Sequence, residues 1–334
     1  MDPTLLLSDR DVHALLPMRE CIDVMRGALA CVADGRAILP LRTIIRLPDT
    51  PNAFGTMPAV LADEHPVLGA KVITVFPGND ATPYDSHVGV VLLFDSERGA
   101  LLAIADASSI TAIRTSAVSG LATDLLARDD AATLAILGAG VLAMPHLEAV
   151  RCVRPITRVR VWSRSGTRAA AFAERARTET GLPVDVCVGA REAVAAADVV
   201  CTITASRTPI LEGRWLHPGV HVNAVGASLP SARELDSDAV AMSRLFVDRR
   251  ESALAEAGDY LIPAAEGRFG ASHLLGELGE LIAGSVTGRT SATDMTLFKS
   301  LGLAVEDVAA LRHIHDKARA SGAGTPVRLG GLRH

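Results

Sequence analysis

The sequence predicts an α/β protein: a doubly wound parallel sheet joined to a second, α+β domain. Three observations carry that expectation. From residue 133 to residue 247, short apolar strand-like runs alternate with helical segments, which is the rhythm of a parallel sheet with right-handed crossovers. At the first of those runs the chain turns through Gly138 and Gly140 and enters a helical pattern. Ahead of it, residues 41–105 pass through several β-type segments at hairpin spacing, the mark of a mostly antiparallel sheet.

In chain order, Ser8 with Asp11 three residues on caps a helix whose apolar positions are Val12, Leu15 and Leu16. Pro17 suits the first turn of a second helix, striped by Cys21, Met25, Leu29 and Val32 and ended by Gly35. Residues 41–47 alternate, so Arg42, Ile44 and Arg46 would share one face of a strand. Strands are expected at 54–61 and 68–76, with Lys71 in the middle of the second. After a loop, residues 88–94 and 100–105 read as a hairpin turning at 95–99. Residues 109–126 are helical, with Ile110, Ile113, Ala117, Leu121 and Leu125 spaced at three and four and Arg114 and Thr115 near the start. Six parallel strands then follow, at 133–137, 158–162, 184–188, 199–204, 220–225 and 245–247. A last helix at 297–318, striped by Leu297, Leu301, Val305, Val308 and Leu311, should return to the first domain. The expected division is 1–124 with 296–320 for the α+β domain, 125–295 for the nucleotide domain, and a loose tail at 321–334.

The glycine turn has a physical use. Gly138 makes the tight turn, Gly140 lets the backbone approach a pyrophosphate, and Ala143 allows the helix to pack near the strand with its first amides facing the anion. Val141 and Leu142 complete the cofactor-binding loop. Selection of NAD usually rests on an acidic residue at the end of the second strand. Here that stretch reads Ser163-Arg164-Ser165, a guanidinium between two hydroxyls, which suits the 2′-phosphate of NADPH rather than NADH. The hydroxyls of Thr202 and Thr204, at a strand's carboxyl end, are expected to face the cofactor.

Composition removes other classes. The 334 residues suffice for about two domains. A net charge of −5 gives no reason to expect nucleic acid or an anionic membrane as partner. No apolar run reaches ~18 residues, and no basic segment with an apolar core opens the chain, so a cytoplasmic protein is expected. The 5 cysteines lie far apart, with no zinc spacing, and read as buried thiols in a reducing compartment. No metal is expected: His313 and His315, two apart on a helix, point to different faces.

These stretches together resemble the ornithine cyclodeaminase and mu-crystallin family. The resemblance runs from about Ser8 to about Ala320. It rests on Leu41-Arg42, Gly69-Ala70-Lys71-Val72, Ile113-Arg114-Thr115-Ser116-Ala117, Gly138-Ala139-Gly140-Val141, Val222-Asn223-Ala224-Val225-Gly226-Ala227, Ala257-Gly258-Asp259, Gly276-Glu277-Leu278-Gly279-Glu280 and Phe298-Lys299-Ser300-Leu301-Gly302. It implies a Rossmann domain set between the two halves of a substrate and dimerisation domain, and a homodimer. It also implies that Arg42, Lys71 and Arg114 surround a substrate carboxylate. Lys71 already stood out, since a lysine within an apolar strand needs a partner or a cleft. Thr115, Thr204, Val225 and Ser300 join the cofactor set, and Lys299 is implied to approach the nicotinamide. His87 is a candidate contact to substrate or nicotinamide, with a structural histidine the alternative. Asp259 and Glu280 read as caps or surface groups.

One departure narrows the activity. Where cyclodeaminases carry an aspartate that acts in acid–base chemistry, this chain has Ser228 in Gly226-Ala227-Ser228-Leu229-Pro230, and a hydroxyl is no useful base near neutral pH. The reading that follows is reduction of a small cyclic imino acid, such as Δ1-pyrroline-2-carboxylate or Δ1-piperideine-2-carboxylate, by NADPH. Lys71 and Ser228 are its catalytic candidates. The alternatives are an NAD-dependent ornithine cyclodeaminase, an alanine-dehydrogenase-like enzyme, and a crystallin-like protein that binds NADPH without turnover.

Overall fold

The structure is a computed structural model and describes residues 3–330. Its elements are β1 (Thr4–Leu7), α1 (Asp9–Leu15), α2 (Met18–Ala33), β2 (Ala37–Ile38), β3 (Thr43–Arg46), β4 (Ala53–Leu61), β5 (Val67–Val75), β6 (His87–Asp95), β7 (Leu101–Asp106) and α3 (Ala107–Leu126). They continue with β8 (Thr133–Leu137), α4 (Ala143–Val153), β9 (Arg158–Trp162), α5 (Gly166–Thr180), β10 (Val184–Val186), α6 (Ala190–Val194), β11 (Val199–Thr202), β12 (His221–Ala224), α7 (Ser237–Ala241) and β13 (Arg244–Val247). The remainder is α8 (Arg250–Glu256), α9 (Gly258–Ala265), β14 (Leu274–Glu277), α10 (Leu278–Ile282), β15 (Thr296–Lys299), α11 (Ala304–Ser321) and β16 (Thr325–Val327). Two compact units result: Met1–Arg114 with Gly302–His334, and Thr115–Leu301.

The first unit is an 8-stranded, mostly antiparallel sheet in the order β16-β1-β7-β6-β5-β4-β2, with β3 paired to β4. The capping box at Ser8 forms as expected, Ser8 Oγ accepting from Asp11 N while the Asp11 carboxylate takes the Ser8 amide. The period-2 alternation of β4 and β5 puts Met57, Ala59, Leu61, Val67, Lys71 and Ile73 on a buried face. Helix α11 packs on these strands. Gly69 permits the close approach, since a Cβ there would lie 2.6 Å from Val308 Cγ2. The opposite face is apolar and open: Ile45, Phe54, Leu68, Val88 and Val90 are all exposed.

The second unit is an 8-stranded parallel sheet in the order β10-β9-β8-β11-β12-β15-β13-β14. In β8, Leu134 and Ile136 enter one apolar core while Ala135 and Leu137 enter the other. That double burial is why its strands read as unbroken apolar runs.

Four expectations need correction. The helix expected at 297–318 begins only at Ala304, and Thr296–Lys299 is instead strand β15, seated between β12 and β13. Leu297 and Leu301 fit either period, so a four-residue run buried throughout carried no discriminating pattern. Gly302, at φ +77°, separates strand from helix. With β14 as well, the parallel sheet has eight strands rather than six. The expected loose tail contains β16, which pairs antiparallel with β1 after Gly322 and Gly324, both at positive φ, turn the chain back; residues 331–334 lie outside the described residues. The unit boundary falls inside α3, ten residues before the expected 124, because α3 is buried on nearly every side and shows no break. Ser116, Ser119 and Thr123 bind His146 and Asn223 of the second unit, so that end of α3 belongs to it.

Candidate substrate and cofactor sites

The second unit carries the glycine turn expected at a nucleotide. Gly138 adopts φ +120° and donates its amide to Trp162 O at 2.8 Å. A Cβ there would meet Ile203 O at 2.9 Å, so only glycine makes the turn. At Gly140 a Cβ would meet nothing within 4 Å, which leaves the backbone open to an approaching group. Val141 is exposed, and the α4 N-cap, Leu142, provides no side-chain acceptor to the first turn. A helix start without its own acceptor, beside an unobstructed glycine, fits a dinucleotide pyrophosphate. At the carboxyl end of β9, Arg164 is exposed and Ser163 half-buried. Ser165 caps α5, its hydroxyl accepting from Arg168 N at 3.3 Å.

The strand ends beside this loop are fastened by a carboxylate absent from the expected set. Glu234 is fully buried. Its Oε1 accepts from Thr204 N at 2.7 Å and Thr204 Oγ1 at 2.6 Å. Its Oε2 accepts from Thr202 Oγ1 at 2.8 Å and Gly226 N at 2.7 Å. Both threonine protons therefore go to Glu234 rather than to a cofactor. Burial, with Asp259 nearby, pushes the Glu234 carboxyl up, while Thr204 and Lys299 oppose that rise.

Asp259, expected as a cap or surface group, is buried. It accepts from Glu234 N at 2.8 Å and Leu235 N at 3.0 Å and pairs with Lys299 Nζ at 3.1 Å. Lys299 also donates to Ala224 O at 3.2 Å, so its charge is engaged inside the sheet. Glu280 does serve as a cap, in a box with Glu277. Thr115, Val225 and Ser300 are buried, and Ser228 is exposed in the loop that Gly226 begins.

The first unit gathers the expected cations. Lys71 lies at the centre of β5 between Met57 and Val91 and is 3% exposed. Its Nζ stands 2.9 Å from Asp307 Oδ2 and donates to Thr111 Oγ1 at 3.4 Å. Arg114, also buried, reaches Asp307 Oδ1 through Nε at 3.0 Å and Glu306 Oε2 through Nη1 at 2.8 Å. Arg42 precedes β3 rather than lying within it and donates to Gly302 O at 3.4 Å. Gly302 also borders Arg114, since a Cβ there would fall 2.5 Å from Nη1. Burial pulls the Lys71 ammonium down to about 8, with Asp307 opposing and Arg114 and Arg42 assisting. Arg114 and Lys71 hold the Asp307 carboxyl below its ordinary value against burial. His87, at the start of β6, has its pKa lowered by desolvation and by Lys71, and its Nδ1 lies 2.9 Å from Ser86 Oγ.

The sequence reading found the cations and missed their anions. Glu306 and Asp307 open a helix, where acidic residues ordinarily complement the dipole. The available signal was Lys71 itself, because a buried ammonium requires a carboxylate somewhere in its own unit.

The five cysteines form no disulfide; four are buried and Cys152 is half-buried. Among the described residues, no group of three or more His, Cys, Asp or Glu side chains could hold a metal ion, and no helix is long and apolar enough to cross a membrane.

Comparison with known proteins gives concordant matches. A profile of the ornithine cyclodeaminase/mu-crystallin family matches residues 3–322. A Δ1-pyrroline-2-carboxylate reductase of Bacillus cereus is 39% identical over 97% of this chain and 100% of its own. The ketimine reductase mu-crystallin of Mus musculus is 42% identical over 85% of this chain and 86% of its own. Among solved structures, Thermococcus litoralis Δ1-pyrroline-2-carboxylate reductase, in complex with NADH and L-proline, superposes with a TM-score of 0.94 at 39% identity, covering 97% of this chain and 100% of that one. An archaeal alanine dehydrogenase dimer with bound NAD gives 0.92 at 30% identity, covering 98% and 99%.

Proposed function

Because the chain belongs to the ornithine cyclodeaminase/mu-crystallin family, we propose that it is an NAD(P)H-dependent imine reductase acting on a small cyclic imino acid of the Δ1-pyrroline-2-carboxylate type. One observation carries this reading: Arg42, Lys71 and Arg114 lie in one unit, two of them buried in ion pairs, in a chain 39% identical to a reductase whose structure holds NADH and L-proline.

Arg42 and Arg114 hold the substrate carboxylate, since guanidinium groups suit bidentate pairing with it. Lys71 adds its charge to that clamp and keeps a proton available at the imine nitrogen, which makes the C=N carbon electrophilic. Ser228, exposed on the second unit, is the other catalytic candidate, with a hydroxyl able to donate a hydrogen bond. A bound reduced nicotinamide supplies the hydride. The protein's own contribution is orientation and charge placement. Lacking an aspartate at position 228, the chain has no base there for removing an amine proton, which disfavours cyclodeamination of ornithine.

Arg164 between Ser163 and Ser165 supports NADPH over NADH. The exposed apolar sheet face around Ile45, Phe54 and Val88 supports a homodimer through the first unit, because monomers rarely leave such a face open to water. Oxidation of NADPH and NADH with Δ1-pyrroline-2-carboxylate tests the whole reading. Rapid oxidation with NADPH preferred is the expected result. Ornithine giving proline and ammonia, with no imine reduction, would replace it with the cyclodeaminase. Arg164→Asp should reverse the cofactor preference without abolishing turnover.

A further inference from the structure

The substrate-side cations do not stand alone. Lys71, Arg114, Glu306 and Asp307 form a buried quartet, 3%, 4%, 0% and 0% exposed, with two charges of each sign. Asp307 alone already bridges both cations, one oxygen to Lys71 and the other to Arg114. Glu306 is a second anion on Arg114, 2.8 Å from Nη1. With Asp307 only, the cluster would carry one surplus positive charge; with Glu306 it carries none. Gly302 packs against the guanidinium as well, since a Cβ there would fall 2.5 Å from the same Nη1.

We propose that Glu306 is a specificity-determining residue: by cancelling the charge of Arg114 it confines the site to imino acids bearing one carboxylate and excludes those bearing two. This rests on the imine reductase reading above. A single carboxylate is accommodated by Arg42 together with the hydrogen-bond donors of the quartet. A second carboxylate would enter surroundings with no surplus positive charge and would face the Glu306 anion across a low dielectric. Glu306 acts through Arg114, not on the reacting atoms.

The test compares kcat/KM for Δ1-pyrroline-2-carboxylate with that for the dicarboxylate imine formed from oxaloacetate and ammonia, in wild type, Glu306→Gln and Glu306→Asp. Because both substrates are measured on one preparation, the ratio is independent of how much of a variant is folded. Glu306→Gln should raise the dicarboxylate-to-monocarboxylate ratio by about tenfold or more, and Glu306→Asp, which keeps the charge, should retain the wild-type ratio. An unchanged ratio in Glu306→Gln, or an equal shift in Glu306→Asp, overturns the proposal.

Binding of pyrrole-2-carboxylate and pyrrole-2,5-dicarboxylate, followed by calorimetry on the same three proteins, needs no turnover. It therefore separates failure of this inference from failure of the reductase reading. Wild type should bind the first alone and Glu306→Gln both. Tight binding of the dicarboxylate by wild type overturns the proposal.

Discussion

Replacing Glu234 by Gln tests the cofactor side of the protein most directly, because the change is nearly isosteric and its cost follows from counted hydrogen bonds. The carboxylate receives four donors, two from backbone amides (Thr204 and Gly226) and two from hydroxyls (Thr202 and Thr204). A glutamine offers one acceptor oxygen. If that oxygen replaces Oε1, the amide NH2 faces the Gly226 N–H. The Thr202 hydroxyl can rotate to accept, but the backbone N–H cannot. One charge-assisted hydrogen bond, worth about 1.5–3 kcal/mol, is lost, and a buried N–H is left opposing another, at about 1–3 kcal/mol. The expected destabilisation is thus about 2.5–6 kcal/mol, read as a lower urea midpoint at unchanged slope. The loops after β11 and β12 lose their shared anchor, so KM for the dinucleotide should rise more than KM for the imino acid. A cost below about 1 kcal/mol would refute the reasoning. It would mean that burial has kept Glu234 protonated, in which case glutamine simply replaces a neutral acid.

Three further outcomes are expected. Lys71→Ala should lower turnover by roughly a hundredfold or more with little change in cofactor KM. In the proposed mechanism Lys71 acts as the ammonium, and with its pKa at about 8 wild-type activity should fall as pH rises through that value. Asp307 opposes the lowering caused by burial, Arg114 and Arg42, so Asp307→Asn should move that limb to lower pH, the rate profile being the measurement. Gly302→Ala combines a left-handed φ of +77° with a Cβ 2.5 Å from Arg114 Nη1. It should cost about 1–3 kcal/mol of stability and raise substrate KM at least tenfold, whereas an unchanged KM would detach Arg114 from the substrate. The third outcome concerns stability against pH. Burial lowers the His146 pKa from 6.5 to about 4, so the folded protein keeps it neutral where the unfolded chain takes up a proton. Stability should therefore fall by about 3 kcal/mol as pH drops from 6.5 to 4. His146→Asn should flatten that part of the curve in urea titrations at successive pH values.

Much of this protein is legible in its residues because each signal is local. The Ser8 cap, the alternation of β4 and β5, and the turn at Gly138 depend on neighbours a few positions away. What escaped depends on partners far along the chain. Strand β15 is four residues buried on both sides, and its identity is fixed only by β12 and β13 on either edge. Helix α3 serves both units, so no change of composition marks the boundary at Arg114. The anions of Lys71 and Arg114 lie about two hundred residues away, at 306 and 307, with no pattern linking them. Lys71 could be recognised as needing an anion; which anion was a matter of topology.

The position of β15 bears on how the chain acquires its structure. Until residues 296–299 emerge, β12 and β13 have no common neighbour and the parallel sheet is split in two. The antiparallel sheet waits longer still, since α11 must cover β4 and β5 and β16 must cover the edge of β1. The first unit, begun first, is therefore completed last, and the usual head start of the earlier-made part is absent. The nascent chain must carry two open β edges through most of its elongation, so holdase chaperones should bind it late, and truncation after β14 should yield aggregates rather than a folded fragment.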